Sequence, residues 1–194
     1  MAGRDNLIVC FGGCACKMGG ILPFEFVRYL SSQYSDRCDL LFYVDRERCW
    51  YHRGLKGLTT NVDNTAEYLA LKISGHTYKK VVFMGVSAGG YAAILFGSLC
   101  NASNVIAFIP QTTLKSPHDK TYANLETVLN NTTDYDVYGD PLIAKGSHDY
   151  AHCTHLGSAN NVQVHPVPGL SMTTLRDQGT IRATLDAIMG TNLR

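Results

Sequence analysis

The sequence contains no apolar run long enough to cross a membrane. It has no basic stripe either: Lys and Arg total 17, Asp and Glu total 16, and the net charge is +1. Because nucleic-acid binding depends mainly on clustered positive charge, this balance argues against a nucleic-acid partner. The first residues have no long apolar stretch of the kind found in secretory signal peptides. We therefore expect neither membrane insertion nor nucleic-acid binding, and we expect a cytoplasmic location.

A regular cysteine spacing is also absent. The seven cysteines form an odd-numbered set without a repeat, and Cys14 and Cys16 lie too close together for the usual zinc knuckle. We therefore expect free thiols in a reducing compartment, and neither a metal nor another cofactor. The sequence shows no internal repeat, low-complexity tract or linker, so residues 1–194 are expected to form a single domain.

Short apolar segments alternate with helical patterns along the chain. The apolar segments predict strands at residues 7–11, 40–44, 81–84, 105–109, 135–138 and 162–167. The segments between and after them predict helices at residues 23–34, 61–74, 90–99, 122–129, 148–156 and 173–189. Strands that alternate with helices favour a mostly parallel sheet with helices on both faces, so the predicted fold class is α/β.

The stretch VVFMGVSAGGY, residues 81–91, places Ser87 between a strand and a helix. A serine on such a sharp corner has strained backbone angles, so its neighbours Gly85 and Gly89 must lack bulk. The corner lifts the hydroxyl clear of the sheet. The N–H of Ala88 lies at the helix start, where negative charge is favoured. The stretch predicts Ser87 as an acyl-transfer nucleophile and Ala88 as one oxyanion donor, and a crowded turn without chemistry is the alternative.

Several glycines and polar residues follow the other predicted strands. Gly12 and Gly13 follow the first, Asp45 the second, Gln111 the fourth and Asp140 the fifth. In open parallel sheets, reactive groups gather beyond the carboxyl ends of the strands. The N–H of Gly13 is therefore the candidate second oxyanion donor, with an ordinary tight turn as the alternative.

The acid of the site is expected after the penultimate strand, because the chain order of such enzymes is serine, acid, histidine. Two carboxylates fit this position. Asp149 is the favoured acid and Asp140 is the second choice. A carboxylate near a helix start is also a common cap without catalytic duty.

The base is the least well defined part of the site. The loop after the last predicted strand, residues 168–174, contains no histidine. His152, one helical turn from Asp149, is the candidate base, and His148 and His155 flank the same acid. His165 lies inside the last predicted strand and is expected to be packed against its neighbours.

Seven motifs occur in one order along the chain: FGG at 11–13, PFEF at 23–26, WYHRGL at 50–55, GVSAGGYAAILFG at 85–97, AFIPQT at 107–112, the pair Asp149 and His152, and LRDQG at 175–179. With these motifs the chain, from residue 7 to 185, resembles the α/β-hydrolase superfamily. More closely, it resembles a group of small lidless bacterial hydrolase-like proteins that are often attached to, or encoded beside, glycosyltransferases of surface-polysaccharide assembly.

The resemblance implies an α/β-hydrolase-like three-layer sandwich without a large cap. It also implies a serine hydrolase that acts on an ester, such as an acyl group on a sugar, with Ser87 as nucleophile and Asp149 as acid. Similar sequences are expected to carry a histidine shortly before the LRDQG segment. This chain has Leu170, Ser171 and Met172 there instead.

Two functions follow from these observations. The first is a small serine esterase whose open site takes a small ester or an acylated sugar. The second is a hydrolase-like fold that has lost its base and acts as a binding or assembly module, with a protein partner or further copies of itself. Two side hypotheses concern a sugar-binding rim at Trp50 and Tyr51, and a cysteine nucleophile at Cys14 or Cys16.

Overall fold

The structure is a computed structural model that describes residues 4–14, 23–143 and 150–190, with the backbone alone for residues 23–26. The strands are β1 (Asn6–Phe11), β2 (Cys38–Tyr43), β3 (Lys80–Val86), β4 (Asn104–Phe108), β5 (Asp134–Gly139) and β6 (Val162–Pro166). The helices are α1 (Pro23–Tyr34), α2 (Val62–Ser74), α3 (Ala88–Leu99), α4 (Tyr150–His155), α5 (Met172–Asp177) and α6 (Thr180–Met189). None of the described helices is both long and apolar enough to cross a membrane.

The six strands form one parallel sheet in the order β2-β1-β3-β4-β5-β6. Three of the four inner strands, β1, β3 and β4, are almost wholly buried, which explains their continuous apolar sequences. All six carboxyl ends lie at one edge of the sheet, with the end of β3 near the middle. This arrangement confirms the predicted α/β class.

Helices cover both faces of the sheet. On one face, Leu69 of α2, Phe96 of α3 and Cys153 of α4 pack against the sheet. On the other face, Leu30 of α1 and Leu185 of α6 pack against it. The molecule therefore has the three layers expected from the sequence.

The structure corrects two of the predicted helices. The predicted terminal helix at residues 173–189 is two helices, because Gly179 adopts a left-handed conformation with φ of 77° between α5 and α6. The predicted helix at residues 122–129 is two short 3-10 turns, Lys120–Tyr122 and Leu125–Val128. The predicted start of the fifth helix, residues 148 and 149, lies outside the described residues.

Candidate active site

Ser87 occupies the corner between β3 and α3. Its φ of 57° and ψ of −121° lie in a region that residues other than glycine rarely adopt. The corner is held from two sides: Ser87 N donates to Phe108 O of β4 at 2.9 Å, and Tyr91 N of α3 donates to Ser87 O at 2.9 Å. Strained backbone of this kind persists only where its surroundings fix it, and it is concentrated at functional sites.

The two glycines around Ser87 are required by close backbone contacts. A Cβ atom on Gly85 would lie 2.1 Å from Gly89 O, and a Cβ on Gly89 would lie 2.1 Å from Phe11 O of β1. Neither position has room for a side chain. The order strand, sharp corner and helix therefore occurs as the sequence predicted, while the catalytic role of Ser87 stays a prediction.

The two candidate oxyanion donors lie on chain segments that follow adjacent strands of the sheet. Ala88 is the first residue of α3, and the first N–H groups of a helix have no partner within it. Gly13 is buried just after β1, the strand beside β3. The preceding Gly12 is fixed by its N–H to Tyr43 O at 2.9 Å and by Tyr51 Oη, which donates to its carbonyl at 2.8 Å. These contacts fix the backbone immediately before Gly13.

Asp45, after β2, organises the loop that follows it. The carboxylate is 1% exposed and accepts hydrogen bonds from Glu47 N at 3.0 Å, Cys49 N at 2.6 Å and Tyr51 N at 3.0 Å. Trp50 and Tyr51 both have positive φ angles in this loop. The three hydrogen bonds offset the cost of those conformations, so Asp45 has a structural role in positioning the loop.

Replacing Asp45 by alanine is expected to lower the free energy of unfolding by about 3 kcal/mol, since a buried N–H group that loses its acceptor costs about 1–3 kcal/mol. Urea denaturation measures the change. Asp36→Ala, at an exposed carboxylate, is the matched control and should change stability by less than about 0.5 kcal/mol. Equal effects of the two substitutions would contradict the structural role of Asp45.

The aromatic pair in this loop has two different environments. Tyr51 is fully buried, and its ring meets Phe11 edge to face with centroids 5.5 Å apart. It cannot stack on a ligand, so the sugar-rim hypothesis is wrong for Tyr51. Trp50 is partly exposed, and its Nε1 donates to Gln111 Oε1 at 2.6 Å. Since β1 and β3 lie between β2 and β4, the contact between Trp50 and Gln111 spans the carboxyl ends of those two strands.

His52 is a buried structural histidine. Its Nδ1 accepts from Asp119 N at 2.9 Å, so the proton lies on Nε2, which contacts Tyr91 Oη at 2.8 Å. Burial lowers the pKa of His52, and this outweighs the nearby Asp119, which raises it. Since the folded state favours the neutral ring, this contribution to stability is present above about pH 6.5 and is lost as the pH falls.

Of the two candidate acids, Asp149 lies outside the described residues. Asp140 follows β5 and is 4% exposed. One of its oxygens accepts from Leu142 N at 2.8 Å and the other from Leu170 N at 3.1 Å. Asp140 therefore joins the end of β5 to the loop after β6, where similar sequences are expected to carry a histidine.

The candidate base His152 lies on α4 beside the segment that follows β4. Its Nδ1 accepts from Thr112 N at 3.0 Å, and Thr112 Oγ1 donates to the His152 carbonyl at 2.8 Å. A neutral imidazole whose Nδ1 accepts an N–H carries its proton on Nε2. In this arrangement His152 has to release Thr112 before Nδ1 can take up a proton. Its role as base stays a prediction.

The other histidines near the acids have partners elsewhere. His155 Nε2 lies 2.9 Å from Asn124 Oδ1. His165, on the edge strand β6, contacts Asp136 Oδ1 at 2.7 Å and stacks on the Tyr138 ring with centroids 4.4 Å apart. His148 lies outside the described residues.

Cys14 follows the Gly13 loop and is partly buried. Burial raises the pKa of its thiol, and the neighbouring Asp45 carboxylate raises it further. A thiol must lose its proton to act as a nucleophile, so this environment disfavours Cys14 in that role. Cys16 lies outside the described residues. Among the side chains that the structure describes, no group of three or more His, Cys, Asp or Glu is arranged to hold a metal ion.

Solved structures of two esterases and a serine hydrolase have a similar fold. Esterase 2 of Thermogutta terrifontis, phosphonylated by cyclosarin, superposes with a TM-score of 0.69 at 14% identity, covering 100% of this chain and 86% of that one. The fluorophosphonate-binding serine hydrolase FphF of Staphylococcus aureus gives a TM-score of 0.64 at 15% identity, covering 95% and 84%. Brefeldin A esterase, a bacterial homologue of human hormone-sensitive lipase, gives 0.55 at 15% identity, covering 96% of this chain and 66% of that one.

The chain matches no protein-family model, and no curated protein matches it in sequence. At these low identities the structural likeness establishes the fold and not the activity. The fold is α/β-hydrolase-like, as the sequence predicted.

Proposed function

We propose that the protein is a serine acyl hydrolase that acts on small carboxylic esters, with Ser87 as the nucleophile. The observation that carries this proposal is the strained Ser87 corner, fixed by β4 and α3 and closely packed at Gly85 and Gly89. A plain strand-to-helix turn has no need of positive φ at a serine. The esterase folds of the structural neighbours support the same reading.

In the proposed reaction, the Ser87 oxygen attacks the ester carbonyl carbon and loses its proton to a base. The negative charge that develops on the carbonyl oxygen is held by the N–H groups of Ala88 and Gly13. The alcohol leaves with a proton, and water then releases the acyl group from Ser87. Preformed donors of this kind stabilise the transition state because they need no reorganisation during the reaction.

The proposed site also needs a proton carrier. Asp149 and His152 remain the proposed acid and base, with Asp140 as the second acid. Because Nδ1 of His152 accepts from Thr112 N, proton uptake requires a local rearrangement. We therefore expect acylation of Ser87 to be easier to detect than repeated turnover.

The substrate is proposed to be a small or surface-displayed acyl group, such as an ester on a sugar. The longest segments that follow the strands are residues 44–61 and 109–133, and neither is long enough to form a large cap over Ser87. Trp50, held by Gln111 at the same edge of the sheet, is the one aromatic ring of the Trp50 and Tyr51 pair that can line the site.

A second candidate function is a binding or assembly module. The observation that favours it is the Asp140 carboxylate, which accepts the backbone N–H of Leu170 in the loop where a histidine is expected. A protein partner or a second copy of the chain would then be the ligand of this surface.

Reaction of the folded protein with a fluorophosphonate probe separates the two candidates. An activated serine beside an oxyanion site attacks the phosphorus atom and keeps a stable adduct, which mass spectrometry assigns to a peptide. We expect rapid labelling at Ser87 that Ser87→Ala abolishes. Ser35→Ala, at an exposed serine, is the matched control and should leave it intact. A folded protein that stays unlabelled would reject the hydrolase proposal and favour the binding module.

A further inference from the structure

A cavity of about 330 Å³ lies at the edge of the sheet opposite Ser87, at the starts of β4, β5 and β6. Its polar lining residues are Asn104, Asp134, Asp136, Asn160, Asn161 and Gln163. Ser87 lies at the carboxyl end of β3, whereas Asn104 and Asp134 are the first residues of their strands. The proposed acyl transfer therefore uses none of these residues.

The sheet register brings four of the lining side chains to one face. Asn104 pairs with Asp134, and Asp136 pairs with Gln163. Paired residues in a parallel sheet and alternate residues along a strand share a face, so the two amides and two carboxylates form one polar patch. The patch is built by three different strands and not by one flexible loop.

Asn104 is the lining residue that most needs a partner. It is 7% exposed, and its Oδ1 is buried without a hydrogen bond. Within the described part of the chain, the only other buried side-chain atom in this state is Thr133 Oγ1, next to Asp134. An unpaired buried acceptor destabilises the folded state, and such groups are rare in native proteins. The unpaired acceptor of Asn104, a residue that lines the cavity, points to a partner outside the chain.

The charges around the cavity define that partner. Asp134 is exposed, and its carboxylate makes no hydrogen bond or ion pair within the described residues. Asp136 uses Oδ1 for His165 at 2.7 Å, and its other oxygen has no described partner. No Lys or Arg lines the cavity. The site thus offers hydrogen-bond acceptors and negative charge, which complement N–H donors on a positively charged group.

We infer that this cavity binds a small organic cation of the alkylammonium or guanidinium class, whose N–H groups donate to Asn104 Oδ1 and to the carboxylates of Asp134 and Asp136. Charge-assisted hydrogen bonds are roughly twice as strong as neutral ones, and here they also supply the buried acceptor with its missing donor. A water molecule occupies about 30 Å³, so the cavity has room for several heavy atoms.

Isothermal titration calorimetry with agmatine, which carries a guanidinium and an ammonium group, tests this inference in 150 mM NaCl. The neutral control ligand is 1,4-butanediol. We expect saturable binding of agmatine alone, weakened about tenfold or more by Asp134→Asn, and lost in Asn104→Leu. Because Asp134 is exposed, its variant should keep the fold. Glu67→Gln, at an exposed carboxylate of α2, is the charge-matched control and should bind like the parent.

Three results would overturn the inference. The first is an absence of saturable agmatine binding, which would leave ordered water as the partner of Asn104. The second is equal binding by Asp134→Asn and Glu67→Gln, which would indicate general attraction to surface carboxylates. The third is binding of 1,4-butanediol or of Ca²⁺ alone with the affinity of agmatine, which would assign the cavity to another ligand class.

Discussion

Ester hydrolysis is expected to rise about a hundredfold or more when histidine replaces Leu170 or Ser171. Asp140 already accepts the N–H of Leu170 at 3.1 Å, so an imidazole introduced there begins beside a buried carboxylate. Adjacent strands lie about 4.8 Å apart, and the ends of β3 and β5 are two strands apart. We therefore expect the new ring to reach both Asp140 and Ser87. A positioned general base contributes roughly 10²–10⁴-fold to rate.

The measurement is kcat/KM for p-nitrophenyl acetate, with the pH profile of each variant. Only the unprotonated imidazole accepts a proton, so the added rate should rise with pH through the ordinary histidine pKa of about 6.5 and then level off. Thr173→His, at an exposed position of α5, is the matched control and should add little.

Two double variants locate the gain in the site. Adding Ser87→Ala should remove it, because the new base then has no nucleophile to activate. Adding Asp140→Asn should also remove most of it, since an amide no longer holds the imidazole in the required tautomer. If Thr173→His raises the rate as much as Ser171→His, the loop after β6 does not occupy the position of the base.

The positions of the inner strands along the chain could be predicted from the sequence, because strands buried on both faces have continuous apolar sequences. The order of the strands in the sheet was not predicted. Two of the helix predictions were wrong, and the causes lie in the local sequence. The 3-10 turn at Lys120–Tyr122 begins where the Asp119 side chain accepts from Thr121 N, and the next begins where Asn124 accepts from Glu126 N. Such side-chain caps favour short turns over a continuous helix. Gly179 was missed as the break, although a glycine just past a helix end is a common stop signal.

In the candidate site, too, some features depend on the local sequence and others on contacts between distant segments. The Ser87 corner is encoded within five residues, so its geometry could be predicted from the local sequence. The contacts that decide the proton chemistry join distant segments: His152 to Thr112, 40 residues apart, and Asp140 to Leu170, 30 residues apart. No spacing in the sequence indicates them. The buried role of Tyr51 was missed for the same reason, since its neighbours Phe11 and Phe96 come from β1 and α3.

Gly89→Ala is expected to destabilise the protein by about 4 kcal/mol or more. The added Cβ would lie 2.1 Å from Phe11 O, 2.7 Å from Phe11 C and 2.9 Å from a backbone carbon of Gly12. All three are backbone atoms, so no side-chain rotation relieves the overlap. Either the end of β1 or the start of α3 has to move, and both hold the Ser87 corner.

Thermal and urea unfolding measure this loss, and fluorophosphonate labelling of any folded fraction reports on the corner itself. Gly75→Ala is the matched control, because Gly75 has an ordinary helical conformation and its added Cβ would meet nothing closer than 3.7 Å. That variant should lie within about 1 kcal/mol of the parent. A stable Gly89→Ala protein that still labels at Ser87 would mean that the close contact between β1 and α3 is not what fixes the serine.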